Sequence, residues 1–279
     1  MNQVDPKYIN QVLHCDCVKG MQQLPECCIP LTVTSPPYDS FRTYGGHEFD
    51  FEAVARELYR VTAPGGVLVW VVQDQVVNGS FTGTKHRQAV FFQELGFGIH
   101  NELTLVTLNS RIPQRVRYTP TSHTAFVFSK GRPRAVNLLR DKPNKQAGTY
   151  KPTWSRRTRD GNRETGKYGK EVAPFGLRSD AWTYLVGNNI TTTDGAQHPA
   201  LMPEEMAEDL IVSWSRPGAL VFDPMCGAAT TCKMALFNHR HYLGMEIHEP
   251  YVQEAKARLA SAWAELKIRL DDRFGDQMR

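Results

Sequence analysis

Residues 35 to 38, Ser-Pro-Pro-Tyr, carry chemistry in their order. They close the apolar run "IPLTVT", which reads as a buried strand whose ladder stops where proline withholds an N–H and fixes φ. The stiff turn that follows presets two hydrogen-bond acceptors, the Ser35 hydroxyl and the Pro36 carbonyl, beside the flat face of the Tyr38 ring, with Pro37 bracing the corner. This equipment suits a planar group that bears N–H bonds. A polyproline ligand is the competing reading, but such ligands belong to exposed proline-rich tracts and not to the end of a buried strand.

A second candidate is "VFDPMCGAATT", a strand that runs through Asp223, Pro224 and Gly227 into a helix. A small-residue turn in that position lets backbone approach a nucleoside-bearing ligand at the carboxyl end of a parallel sheet. The turn lacks GxGxxG and also GxxxxGK[ST], which argues against dinucleotides and ATP hydrolysis. A ligand with ribose and no phosphate fits better. Roughly twenty residues on, Glu246 ends another strand, where such folds place an acid for ribose hydroxyls. Alone, Glu246 also fits a surface carboxylate, His198 a capping histidine, and Asp16 a helix cap. Fixed distances from Asp223 raise Glu246 and His198, whereas Asp16 by itself reads as the cap.

The elements that must hold these residues alternate regularly. In "DFEAVARELYRVT", Phe51, Val54, Leu58 and Val61 recur at helical spacing behind an Asp50 cap, "APGG" ends the helix, and "VLVWVV" follows as a strand. "RQAVFFQELGFG" predicts a helix up to Gly96, and "IHNELTLVTL" and "HTAFVFSKG" predict strands late in the sheet. "HPALMPEEMAEDLIVSWSRPG" predicts a helix from Pro203 with Met206, Leu210 and Trp214 on one face. A last helix puts Tyr251, Ala255, Leu259 and Trp263 in register.

The net charge of +4 hides an asymmetry. Residues 130 to 178 hold fourteen Lys and Arg against Asp141, Asp160, Glu164 and Glu171, a net +10 that leaves −6 for the rest. Tyr150, Trp154 and Tyr168 lie among these cations, a mixture that tracks phosphates and packs on sugars or bases, so Lys151, Trp154, Arg156, Arg157 and Arg159 are candidate nucleic-acid contacts. The six cysteines form close pairs without zinc spacing and read as reduced, structural thiols, and no metal is expected. The longest apolar run is far too short to span a bilayer, so a soluble, cytoplasmic protein without a leader or a membrane partner is expected.

Taken together, "HCDCVKGMQQLP", "TSPPY", "LYRVTAPGGVLVW", "HPALMPEEMAEDLI", "VFDPMCGAATT" and "YLGMEIHEPYVQEAKARL" resemble the amino-directed DNA methyltransferases of the beta arrangement, in which the catalytic motif comes first, target recognition follows, and the S-adenosylmethionine motif comes last. The resemblance covers about residues 9 to 260. It implies an α/β Rossmann-like methyltransferase fold with a mixed, mostly parallel seven-stranded sheet, helices on both faces, permuted motif order and a basic insertion. The expected layout is a catalytic half over 1–129, a basic target-recognition insertion over 130–180, the cofactor-binding half over 181–265 and a tail over 266–279. By the same resemblance Asp16 meets the adenine amino group of S-adenosylmethionine and Glu246 its ribose. His198, Pro199, Asp223, Pro224, Gly227, Thr230 and Thr231 line the methionine end. Met225 and Ala229 depart from the phenylalanine and glycine usual in the family, and the extra methyl at Ala229 narrows the approach.

The implied reaction suits the Ser-Pro-Pro-Tyr turn. An exocyclic amine is a poor nucleophile because its lone pair is delocalised, and acceptors at Ser35 and Pro36 favour the pyramidal form while Tyr38 stacks on the base. Within a duplex the amine is out of reach, so the base must be extruded and the basic segment must hold the opened double-stranded DNA. Methylation at cytosine carbon 5 needs a Pro-Cys nucleophile, which is missing. Protein-glutamine and RNA methyltransferases carry a related motif after the cofactor motif, the reverse of this order. Serine at the first clamp position favours cytosine N4, with adenine N6 as the alternative and an inactive DNA-binding protein of the same fold as a more distant one. A cognate restriction endonuclease, a solitary role and a homodimer all stay open.

Overall fold

The computed structural model describes residues 2–37, 49–108, 116–186, 192, 194 and 201–277. Tyr38, His198 and Pro199 lie outside the described residues. The chain divides into two compact units, one of residues 1–137 and 180–279, the other of Leu138–Ser179.

The larger unit is an eight-stranded sheet built from β1 (Gln11–His14), β2 (Ile29–Thr34), β3 (Thr62–Val72), β4 (Gly98–Leu108), β5 (Ser122–Ser129), and, after the smaller unit's β6 (Tyr150–Arg157) and β7 (Arg163–Glu171), β8 (Ala181–Leu185), β9 (Leu220–Asp223) and β10 (His241–Glu246). Its order is β1-β10-β9-β2-β3-β5-β4-β8, and β5 alone runs antiparallel to the others. Sequence reasoning expects seven strands. The eighth is β8, "AWTYL", whose parallel pairing to β4 from Ala181↔Thr104 to Leu185↔Leu108 extends the edge. It has buried Trp182 and Tyr184 alternating with exposed neighbours, a short half-buried pattern masked by the adjoining basic run.

The central strands are buried without alternation, as parallel strands covered on both faces must be. Leu68, Trp70 and Val72 of β3 join Phe92, Phe126, Phe128 and Phe222 in one core, while Val67, Val69 and Val71 are equally buried on the opposite face. Among the described residues six helices do the covering: α1 (Cys17–Gln22), α2 (Phe51–Val61), α3 (Thr84–Glu94), α4 (Glu204–Trp214), α5 (Thr230–Phe237) and α6 (Glu249–Gln277). They pack among themselves as α1–α2–α3 and α4–α5–α6.

Asp50 caps α2 by accepting the Ala53 N–H, as its spacing predicts. The "APGG" that follows is strand and not a helix stop, because the chain enters β3 at Thr62 and bulges there, with the Gly65 N–H bonded to the Lys130 carbonyl. Gly65 has φ +73°, and a Cβ there would meet the Arg134 side chain at 2.5 Å. On α6 the buried face keeps the expected Ala255 and Leu259 but takes Val252 and Ala262 in place of their neighbours Tyr251 and Trp263, and Trp263 is 37% exposed. Among the described residues, no helix is long and apolar enough to cross a membrane, and no group of His, Cys, Asp or Glu is arranged to hold a metal.

The smaller unit consists of the β6–β7 ribbon and a short pairing of Phe175–Gly176 with Lys142–Pro143.

Candidate active site and cofactor corner

Because β1, β10, β9 and β2 are adjacent and parallel, their C-terminal ends share one edge of the sheet. Asp16, Glu246, Asp223 and Ser35 stand at or just past those four ends, in that order. Hydrogen bonds tie neighbours together. The Cys15 N–H donates to the Glu246 carbonyl at 3.0 Å. The Gly227 N–H donates to Glu246 Oε2 at 2.9 Å and the His248 N–H to Oε1 at 2.8 Å. The Thr34 hydroxyl donates to Asp223 Oδ1 at 2.7 Å, across the boundary between β2 and β9.

Asp16 is indeed a helix cap: its Oδ1 accepts the Lys19 N–H at 3.0 Å at the start of α1. The cap engages Oδ1 and leaves Oδ2 for another partner. Asp223 is 5% exposed. Burial lifts its carboxyl to about 6, against the pull of hydrogen bonds from Thr34, the Met225 N–H and Thr231. Pro36 and Pro224 are buried, while Ser35 and Pro37 are half-buried.

Between Asp223 and α5 the chain makes its turn through Cys226, Gly227, Ala228 and Ala229, all small and buried. Gly227 has φ +50° and Ala229 φ +62°, both in the left-handed region. The sequence departure at Ala229 is thus also a backbone strain, since an L-residue with a Cβ is disfavoured there.

One group of residues escapes sequence reasoning altogether. Lys233 of α5 donates to Asp194 at 2.9 Å and to Glu204 at 2.7 Å, and Arg258 of α6 donates to Asp194 at 2.9 Å and to Glu204 at 3.3 Å. Arg258 also bonds the Ala228 carbonyl and, at 3.3 Å, the Thr230 hydroxyl. Two cations and two acids from four segments therefore clamp the outside of the 223–230 turn. Burial pushes the Asp194 carboxyl up, but hydrogen bonds from Arg258 and Lys233 outweigh it and hold it at about 2. The available signal was a charge in an apolar helix face, Lys233 within "TTCKMALF" and Arg258 beside Leu259, since a buried cation demands a partner.

The five candidate nucleic-acid contacts all fall in the smaller unit. Lys151, Trp154, Arg156 and Arg157 lie on β6, and Arg159 lies in the turn that follows. Trp154 and Arg156 have partners within the ribbon. A Cβ on Gly166 would meet the Trp154 ring at 2.6 Å, and Arg156 pairs with Glu164 at 2.8 Å while lying 5.4 Å over the Trp154 ring.

A family model for N6- and N4-directed enzymes, described as DNA methylase, matches residues 29–257, most of the chain. The chain belongs to this family. Orphan methyltransferase M.BamHII of Bacillus amyloliquefaciens is 44% identical over 241 residues, covering 85% of this chain and 91% of the relative. The fold is shared with TTHA0409 of Thermus thermophilus, solved in complex with S-adenosyl-L-methionine (TM-score 0.61, 23% identity, covering 91% and 94% of the two chains). It is also shared with the cytosine-N4-specific PvuII DNA methyltransferase (TM-score 0.62, 18% identity, covering 89% and 85%). As a member of the DNA methylase family, this amino-directed methyltransferase acts on DNA with S-adenosylmethionine as methyl donor.

Proposed function

We propose that this DNA methyltransferase modifies specific sites, transferring the methyl group to the exocyclic nitrogen N4 of a cytosine turned out of the duplex. The observation that carries the reading is the Thr34–Asp223 hydrogen bond at 2.7 Å, which joins the strand end bearing Ser35 and Pro36 to the turn bearing Gly227. Acceptors for an amine and a cradle for a methyl donor are thereby one continuous edge.

The residues present fit S-adenosylmethionine. Glu246 spends one lone pair on each oxygen on the Gly227 and His248 N–H groups, and its remaining pairs suit two ribose hydroxyls. Asp16 offers its second oxygen to the adenine amino group. The small residues from Cys226 to Ala229 let backbone approach the methionine end, with Asp223, Pro224, Thr230 and Thr231 shaping that turn, and the family resemblance assigns His198 and Pro199 to the same end. When bound, this cofactor supplies a sulfonium methyl.

Ser35 and the Pro36 carbonyl accept the two N–H bonds of the amine, which localises the nitrogen lone pair, and Tyr38 stacks on the base. Proline at 36 and 37 keeps these acceptors preset, so little conformational entropy is lost when the base arrives. The insertion that carries Lys151, Trp154, Arg156, Arg157 and Arg159 serves as the DNA-holding element. The orphan standing of M.BamHII supports work without a cognate restriction endonuclease.

The test is nucleoside mass spectrometry of bacterial DNA incubated with the protein and S-adenosylmethionine. N4-methylcytosine is expected, abolished by Ser35→Ala together with Pro36→Ala in a folded protein. N6-methyladenine as sole product overturns the cytosine assignment.

A further inference from the structure

We infer that only one face of the β6–β7 ribbon meets DNA, the face carrying Lys151, Arg157, Arg163, Lys167 and Lys170, and that it enters the major groove of a duplex as a two-stranded ribbon. The inference rests on the reading of the insertion as the DNA-holding element and goes beyond it by dividing its residues.

The division follows from register. Residues directly opposite in an antiparallel pair share a face. Arg163 stands opposite Arg157, Thr165 opposite Ser155, Lys167 opposite Thr153, and Lys170 opposite Lys151. This face therefore holds five cations, three hydroxyls and no acid, all of it exposed. Two of its cross-strand pairs are like charges, an arrangement that destabilises an isolated ribbon. Arg163 donates to the Ser155 hydroxyl at 3.2 Å, but no acid on this face offsets the charge, so a polyanion is the partner that relieves the repulsion.

The register shift between Lys167 and Lys170 bears on the same point. Pairing runs Lys167↔Thr153 and resumes at Lys170↔Lys151, with one extra residue on β7. Gly169 sits in that bulge at φ +59°, a conformation that favours glycine. Without the extra residue Gly169 would oppose Lys151 and Lys170 would point to the other side. The bulge thus adds a fifth cation to the basic face.

The other face is closed in charge and not in exposure: its cation Arg156 is paired with an acid, although Tyr150, Arg156, Glu164 and Glu171 stand in water. Trp154 lies against Gly166, Arg156 pairs with Glu164 and covers the Trp154 ring, and Tyr150 stands opposite Glu171. Trp154 and Arg156 hold the ribbon flat and presentable, whereas Lys151 and Arg157 reach the partner. The major groove, about 12 Å wide, admits a two-stranded ribbon, and Arg, Lys, Ser and Thr are the side chains that bond its guanine and mixed base edges. From Lys151 to Arg157 the face extends about 20 Å at ~3.3 Å per residue, several base pairs of groove.

The experiment measures binding of the full chain to a fluorescent 30-base-pair random-sequence duplex across a salt series, in wild type, Arg157→Gln/Lys167→Gln and Glu164→Gln. The double variant should bind at least tenfold more weakly, with its log–log salt slope reduced by about 2, at ~0.9 for each phosphate no longer neutralised. Glu164→Gln, which frees Arg156 on the closed face, should leave the slope unchanged. A double variant that binds like wild type overturns the inference, as does a Glu164→Gln slope that steepens by about 1. Equal slope loss on a 30-nucleotide single strand overturns the duplex assignment. A wild-type slope near zero overturns the underlying reading of the insertion, and this inference with it.

Discussion

The clamp behind the cofactor turn and the basic face of the ribbon are both clusters of charge, yet they are built on opposite rules. In the clamp, Lys233 and Arg258 meet Asp194 and Glu204, and the two cations are nearly buried. On the ribbon, cations face cations and remain in water. Charges that satisfy one another inside the protein fix a shape, because removing one partner strands the other in a low-dielectric place. Charges held together without partners store repulsion that only an external anion removes. Charge density alone does not separate the two uses, and burial with sign does.

The largest effect that would test this contrast is on stability. Lys233→Met should cost about 3–5 kcal/mol, because Asp194 and Glu204 lose a buried cation. Lys167→Met on the ribbon should cost no more than about 0.5 kcal/mol. Urea titration of both variants reads the difference, and equal costs would erase the distinction.

Next comes pH. The Asp223 carboxyl has an ordinary value of 3.8 and is lifted by burial to about 6 in the folded protein. The folded state therefore holds a proton that the unfolded chain has lost, so the contribution is complete below about pH 4 and is lost as pH rises through 6, a swing of about 3 kcal/mol. Asp194, held at about 2, runs the other way: its contribution is present above about pH 4 and is lost as pH falls through 2. The stability difference between wild type and Asp223→Asn should change sharply between pH 4 and pH 7, whereas a constant difference would contradict a buried carboxyl there.

The smallest effects concern two residues with almost the same backbone. Ala229 has φ +62° in the clamped turn and Gly169 φ +59° in the ribbon bulge. Ala229→Gly should stabilise by about 0.5–1 kcal/mol, since relief of the left-handed strain exceeds the added chain entropy. Gly169→Ala should destabilise the ribbon by about 1 kcal/mol and weaken DNA binding by withdrawing Lys170 from its face. Thermal melts and the duplex-binding series check both.

Much of the sheet edge was legible because punctuation marks it. Proline after "IPLTVT", the small residues after Asp223 and the acid ending "YLGME" each stop a strand at the place where a ligand can be met. The clamp was hidden because its four charges lie up to 64 residues apart, and only folding brings Asp194 and Arg258 together. Sequence reasoning grouped Trp154 and Arg156 with Lys151 and Arg157 by proximity along the chain. A strand alternates its faces, so neighbours in sequence point in opposite directions, and only the pairing with β7 shows which share a side. Ala229 was noticed as an unusual residue, but the sign of its φ comes from the turn and not from the residue.

The bond from the Thr34 hydroxyl to Asp223 joins the two halves of the edge, and any coupling it carries between them is reciprocal. A ligand that steadied Asp223 would also steady the residue that precedes Ser35, and each half would then change the other's affinity by the same factor. A methyl donor that arrives first would then leave the base less ordering to do, and an extruded base would slow the donor's escape.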